Sequence, residues 1–344
     1  MIDTPTTTGT VRVDVTLDVS GSCAVEGDLS IAATVFLPPS DALGDDVAVL
    51  YAVPGGGYSR GYYDMHFDGH TGYSQADHHV SHGLVFVAID HLGVGASTPE
   101  VADRVRVEDI AAANHAAVRA LSDMIENGAV APGYPPVKIA RRIGIGQSMG
   151  GAVTIIMEAA HRTYDAIAIL GYSGIHTVLP FSDETDTAAV AGRIDESRDD
   201  DPSVQSVART ATTIPEFLYP FFWSDVPAGI VEEDTRGGYP LRETAPAFGS
   251  ATLPSCAVAM LSPGYVAAEA AAVNCPVFIG LGERDTAPEP HREPSAYERS
   301  TDVTLFICNQ MAHMHNFAST RRKLWDRLIG WCRGLNESLG AASY

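Results

Sequence analysis

Residues 142–151 read Arg-Ile-Gly-Ile-Gly-Gln-Ser-Met-Gly-Gly, an apolar run that breaks at Gly146-Gln147-Ser148-Met149-Gly150-Gly151 and continues as an apolar stretch to residue 160. The run before the break has the look of a short buried strand, and the stretch after it that of a compact helix. A serine inside G-x-S-x-G between a strand and a helix is a nucleophile elbow. The chemistry needs that pattern for physical reasons. The sharp turn holds the serine in a strained backbone conformation, and small neighbours avoid clashes around it. The following helix aims free N–H groups and its dipole at the same point, where they favour developing negative charge.

Outward from this turn, strand-like and helix-like segments alternate. Nearly continuous apolar runs lie at 47–53, 84–89, 143–145, 166–170, 277–281 and 303–308. Such runs suit strands covered on both faces, as in parallel sheets flanked by helices. Helical spacing marks 107–125, through Ile110, Ala113, Ala117, Leu121, Met124 and Ile125, and a closing stretch at 324–335 with Trp325, Leu328, Ile329 and Trp331. The alternation predicts an α/β fold whose mostly parallel central sheet is flanked by helices. Near the start, Val11, Val13, Val15 and Leu17 alternate with polar residues, turn formers fill 20–28, and 29–37 returns as a second strand. The sheet is therefore expected to open antiparallel.

Between the strands near Gly171 and Pro276 lie about a hundred residues, too many for an ordinary connection. Residues 183–201 are acidic and polar, an aromatic cluster of Phe217, Tyr219, Phe221, Phe222 and Trp223 follows, 235–249 is rich in Gly and Pro, and 258–273 is Ala-rich and helical in pattern. Aromatics at that density need something to pack on. The expected organisation is a leader without order over 1–10, a core over 11–174 and 275–344, and an inserted, mainly helical cap over 175–274. The five cap aromatics either line a substrate pocket, since pockets are largely apolar, or fill the cap's own core.

Three more segments carry candidate chemistry. Val53-Pro54-Gly55-Gly56-Gly57-Tyr58 ends an apolar run in glycines, which let a backbone approach a ligand closely. Gly282-Glu283-Arg284-Asp285 ends another run with two carboxylates, and Asn309-Gln310-Met311-Ala312-His313-Met314-His315-Asn316 follows the last with two histidines. Ile89-Asp90-His91-Leu92-Gly93-Val94-Gly95-Ala96-Ser97 ends a fourth run, and Asp90 reads as a loop-holding residue.

The serine turn and these segments, in this order, resemble the α/β-hydrolase family, and the resemblance covers nearly all of the chain outside the leader and cap. It implies Ser148 as nucleophile, Asp285 as acid and His313 as base, in the chain order serine, acid, histidine. Glu283 is the alternative acid and His315 the alternative base. The backbone N–H of Met149, with that of Gly56, Gly57 or Tyr58, is implied as the oxyanion hole. Pro54 stands where the family often has a histidine that supports this loop. The implied activity is acyl transfer to water through an acyl-enzyme. Its expected substrate is a carboxylic ester or lactone, fairly large and hydrophobic, macrocyclic lactones included. Acyltransferase, C–C hydrolase, cofactor-free haloperoxidase and non-catalytic ligand receptor are the alternatives. A serine at the elbow differs from the epoxide-hydrolase and dehalogenase branches, which use aspartate. No cofactor or metal is expected.

Charge narrows the partners. Lys and Arg total 22 against 43 Asp and Glu, a formal net charge of −21. Such a surface repels phosphate backbones and anionic lipid, so nucleic acid and membrane are disfavoured as partners. No apolar run approaches the roughly 18 residues of a membrane span, and no secretory pattern opens the chain, so the expected compartment is the cytoplasm. Apolar cap surface would suit a homo-oligomer. The odd number of cysteines, Cys23, Cys256, Cys275, Cys308 and Cys332, without paired spacing reads as reduced, mostly buried thiols. His66, His70, His78, His79 and His82 crowd one region, where His66 and His70 have helical i, i+4 spacing. Without a second-ligand pattern such as HExxH, they read as surface or hydrogen-bonded histidines. His70 and Tyr63 are candidate substrate contacts.

Overall fold

The computed structural model describes residues 10–44, 46–181 and 216–340. The predicted leader, apart from Thr10, and the acidic stretch 183–201 lie outside the described residues. Eight strands form a single sheet in the order β1-β2-β4-β3-β5-β6-β7-β8. They are β1 (Val11–Asp18), β2 (Ser30–Leu37), β3 (Val47–Val53), β4 (Val85–Ile89), β5 (Ile139–Gln147), β6 (Ala166–Leu170), β7 (Val277–Arg284) and β8 (Val303–Ala312). β2 pairs antiparallel with both β1 and β4, and every other neighbouring pair is parallel. The predicted antiparallel opening and parallel centre are both present.

Among the described residues the α-helices are α1 (Gln75–Val80), α2 (Val107–Glu126), α3 (Met149–His161), α4 (Ala228–Thr235), α5 (Ala267–Ala272) and α6 (Arg321–Gly340). Alternation along β3 shows how they divide. Val49, Tyr51 and Val53 enter a core with α2, α3 and α5, whereas Ala48, Leu50 and Ala52 enter a second core with α1 and α6. Successive side chains of a strand point to opposite faces, so a central strand must be apolar throughout to be covered on both. All seven residues of β3 are buried.

Three strands run longer than their apolar patterns. β5 starts at Ile139 and passes through Arg141 and Arg142 because it pairs in parallel with β3 from Val47 onward. β7 and β8 likewise continue past their apolar cores, pairing as far as Arg284 with Ala312. Backbone pairing carries a strand through polar residues at its ends, where a hydropathy pattern sees only a stop.

The described part of the insertion between β6 and β7 holds α4, α5 and two short 3-10 turns at Ser255–Ala257 and Ala259–Leu261, with turns and loops elsewhere. The Ala-rich 258–273 is helical only in the turn Ala259–Leu261 and in α5 (Ala267–Ala272). Gly264, at φ +67°, lies between them in a conformation that a helix does not use. Among the described residues, no helix is long and apolar enough to cross a membrane. All five cysteines are free, but only Cys308 and Cys332 are buried, the other three being partly exposed.

Glu158, near the end of α3, is buried and accepts a hydrogen bond from the Tyr164 N–H at 2.9 Å. Burial pushes its carboxyl up to about 7, against the opposing backbone hydrogen bonds. A carboxyl raised above its unfolded value binds more protons in the folded state, so its contribution to stability falls as pH rises through about 7. Glu158→Gln keeps the shape without the charge. Melting temperatures at pH 5 and pH 8 should show the variant gaining on the wild type only at the higher pH.

Candidate active site

Ser148 closes β5 and opens α3 with φ 52° and ψ −120°, a strained conformation for a residue with a side chain. Its N–H donates to the Leu170 carbonyl at 2.8 Å, which ties the turn to β6. Gly150 explains the pattern around it: a side chain there would run into the Val53 carbonyl. α3 therefore lies tight against the end of β3, where residues 54–58 begin.

Two other strand ends converge on the serine. Ser148 Oγ is 2.9 Å from His313 Nε2, and His313 Nδ1 is 2.8 Å from Asp285 Oδ1. Asp285 follows β7 and His313 follows β8, and both are buried. Burial alone would raise the Asp285 carboxyl, but His315 and His313 together hold it well below the usual carboxylate range. An ionised carboxylate only accepts hydrogen bonds, so His313 Nδ1 carries the proton that it donates to Asp285. In a neutral ring Nε2 is then a bare lone pair facing the serine hydroxyl. Glu283 is elsewhere, accepting from the Gln310 N–H at 2.8 Å at the exposed end of β7. His315 does not face Ser148. Its Nε2 lies 2.6 Å from the other Asp285 oxygen, Oδ2.

The glycine loop is braced from two sides. The Tyr58 N–H donates to the Gly55 carbonyl at 3.2 Å and its hydroxyl to Asp234 at 2.8 Å, so neither group of Tyr58 faces the serine. The Tyr58 candidate is thereby removed, because a donor engaged in a tight turn is not free for a ligand. Gly56 lines the cavity beside Ser148 and Met149. His91 takes over the support that a histidine at position 54 would give. Asn114 Nδ2 donates to His91 Nδ1 at 2.9 Å, which leaves Nε2–H to donate to the Pro54 carbonyl at 2.9 Å. Burial lowers His91 to about 4, which keeps the ring neutral in this role. Asp90 holds its loop as expected, with Arg60 at 2.6 Å and the Ala96 N–H at 2.9 Å.

The insertion clamps the same loop through a buried ion pair. Arg242 donates to Asp234 at 2.8 Å and to the Gly57 carbonyl, and its guanidinium lies 5.0 Å from the Tyr58 ring centre. Both charged side chains are fully buried. Arg242→Met leaves Asp234 as an uncompensated buried acid. Urea denaturation should show a loss of about 3–5 kcal/mol, and adding Asp234→Asn should recover part of it.

A cavity of about 160 Å³ opens over Ser148, Met149, Gly56 and His313. Tyr172, Leu179, Phe217, Phe221, Tyr239, Leu253, Met260, Leu261 and Met314 line it, and no Lys, Arg, Asp or Glu does so among the described residues. Two of the five expected aromatics are thus in place. The other three are not: Tyr219 and Trp223 cover the Arg284 guanidinium, at 3.7 and 4.8 Å, and Phe222 packs edge-on against Phe317 at 5.4 Å. Arg284, at the end of β7, draws two of the rings outward. The lining missed from the sequence comes mostly from loops and 3-10 turns of the insertion, which have no periodicity to read.

A larger surface cavity, about 340 Å³, is lined by His66, His70, His78 and Arg322, and by none of Ser148, Asp285 or His313. His66 and His70 are not on a helix: an isolated bridge joins Phe67 to His70, so the helical i, i+4 reading does not hold. His70 and Tyr63 do not line the serine cavity, and the Tyr63 hydroxyl donates to the Val53 carbonyl at 2.7 Å. Metal-type donors do gather on the surface, as His78, His82 and Asp326 and as Asp64, His66 and Asp77, with ligand atoms within 4.8 Å of one another in each group.

No family model matches the chain, and no curated protein matches it in sequence. Its structure has clear counterparts. A haloalkane dehalogenase loop variant from Bradyrhizobium elkanii superposes with a TM-score of 0.62 at 13% identity, covering 97% of this chain and 100% of that one. A bromoperoxidase from Bacillus anthracis gives 0.59 at 14%, covering 92% and 98%. A thermophilic esterase from Thermogutta terrifontis gives 0.56 at 15%, covering 94% and 98%. With these neighbours, and with its mostly parallel sheet between two layers of helices, the chain has the α/β-hydrolase fold.

Proposed function

We propose that the protein is a serine hydrolase that cleaves an uncharged carboxylic ester or lactone through an acyl-enzyme. The single observation that carries the reading is the hydrogen-bonded chain from Ser148 through His313 to Asp285, at 2.9 and 2.8 Å. In this reading His313 Nε2 takes the hydroxyl proton as Ser148 Oγ attacks the acyl carbon. The N–H groups of Met149 and Gly56 receive the oxyanion. Met149 is the first residue of α3, and the first amides of a helix have no partner within it. His313 returns the proton to the leaving oxygen; the alcohol departs from an ester, or stays tethered to the acyl chain of an opened lactone, and water repeats the cycle on the ester of Ser148.

The cavity bears on the substrate. Its lining favours an apolar acyl group and, among the described residues, offers a carboxylate or an ammonium no charged side chain of Lys, Arg, Asp or Glu. A volume of about 160 Å³ among the described residues suits a short or branched acyl chain better than a macrocycle. Pockets for large ligands run to roughly 300–1,000 Å³.

A screen of p-nitrophenyl esters from acetate to dodecanoate, with simple lactones alongside, tests this reading. The expected profile peaks at short to middle chains, and a fluorophosphonate should add covalently to Ser148 by mass spectrometry. No adduct and no turnover would favour a ligand receptor on the same fold. Transfer to added alcohols in preference to water would favour an acyltransferase.

A further inference from the structure

Asp285 holds two imidazoles. Its Oδ1 accepts from the Thr286 N–H at 2.8 Å and lies 2.8 Å from His313 Nδ1. Its Oδ2 accepts from the Gly282 N–H at 2.8 Å and lies 2.6 Å from His315 Nε2. A carboxylate offers about four lone-pair sites, and here four donors fill them in two matched pairs. We infer that His315 is a positioning residue, an imidazole whose Nε2–H fixes Asp285 so that Oδ1 stays aimed at His313. The inference rests on the hydrolase reading above and assigns His315 a task within it.

Three observations support the assignment. The ionised carboxylate requires the proton on His315 Nε2, since it cannot donate. His315 Nδ1 is buried without a hydrogen-bond partner among the described residues. The Nε2–H bond to Asp285 is then the ring's one hydrogen bond among the described residues, and it sets how ring and carboxylate face each other. The backbone fixes the geometry as well. His313 N–H donates to the Pro220 carbonyl at 3.1 Å, Met314 N–H to Phe221 at 2.9 Å, and His315 N–H to His313 at 3.0 Å. These bonds strap residues 313–315 into a tight bend that turns both rings onto one carboxylate.

Without the second imidazole, Oδ2 keeps only the Gly282 donor, and the carboxylate is freer to swing about its side-chain bonds. His313 then loses its fixed orientation more than its binding surroundings, so the loss falls on kcat and leaves KM nearly unchanged. His315→Ala should slow kcat for p-nitrophenyl butyrate by roughly 10- to 100-fold, the size expected for a hydrogen bond to a charged group. His315→Gln can place an amide N–H near the position of Nε2 and should restore most of the rate. If His315→Ala fails to fold by near-ultraviolet circular dichroism, His315→Leu fills the space without a donor and is read the same way. Proton NMR of the wild type should show two low-field imidazole N–H signals, and His315→Gln should lose one of them.

A kcat within threefold of wild type in a folded donor-free variant would overturn the inference. Gln and Ala variants slowed equally would also overturn it, because packing and not donation would then be the cause. A wild type that neither turns over esters nor takes the fluorophosphonate at Ser148 defeats the hydrolase reading instead, and the two NMR signals would still report whether the double imidazole clamp exists.

Discussion

Ser148→Ala should lower kcat for p-nitrophenyl butyrate by about 10⁴- to 10⁶-fold, the range seen when a serine nucleophile is removed from an acyl-transfer site, and should leave the melting curve nearly unchanged. The separation of the two effects follows from the geometry. Alanine keeps the Cβ, so the φ of 52° costs the variant about what it costs the wild type. The hydroxyl interacts with His313 Nε2 at the cavity floor, and its removal leaves that nitrogen facing the cavity. The Ser148 N–H to Leu170 bond that fixes the turn belongs to the backbone and survives. In the proposed mechanism, what remains is electrostatic assistance at Met149 and Gly56, which alone gives a small fraction of the rate. A purified variant that retains more than a hundredth of wild-type turnover would mean that another group attacks the substrate. Loss of cooperative melting would mean that the hydroxyl supports the fold.

The elements that could be read from the sequence share one property: each is defined by residues close together in the chain. The apolar runs of β3 and β6 and the periodicity of α2 lie close to the observed bounds, because burial on two faces or one is written directly into local composition. Gly146 to Gly150 could be read for the same reason. The tasks of His91 and His315 could not, because they depend on long-range partners: Pro54 and Asn114 for the first, and Asp285 for the second. One signal was available in each case. His91 sits next to Asp90 at a strand end, and His315 stands two residues from His313, a spacing that a tight bend can fold back. The expected pocket aromatics of 217–223 were placed only in part because an aromatic residue near a pocket looks the same in sequence whether it faces a cavity or an arginine. Arg284, between Glu283 and Asp285, gave no hint that it would draw Tyr219 and Trp223 away.

Asp285→Asn should reduce kcat by about 10⁴-fold, as does the corresponding change where an aspartate orients a catalytic histidine, and here it should also cost stability. Four donors converge on this carboxylate, two of them backbone N–H groups and two imidazoles. An asparagine has one oxygen and one NH₂ group, so one matched pair of donors must face a donor. If the NH₂ takes the place of Oδ1, His313 must accept at Nδ1 and carry its proton on Nε2. It then cannot take the proton of Ser148, and the Thr286 N–H is left unpaired. If the amide is reversed, His315 must move its proton to the buried Nδ1, which has no acceptor among the described residues, and the Gly282 N–H is orphaned. Each buried donor left unmade costs about 1–3 kcal/mol. The first orientation stops the chemistry, and the second spares His313 but leaves two unsatisfied groups near His315. Adding His315→Gln separates them. The Gln amide can turn its oxygen toward the NH₂ of the substituted side chain and relieve the second orientation, so the double variant should be more stable than Asp285→Asn alone and faster by tenfold or more. A double variant no faster than the single one would show that the amide at position 285 faces His313 whatever stands at 315.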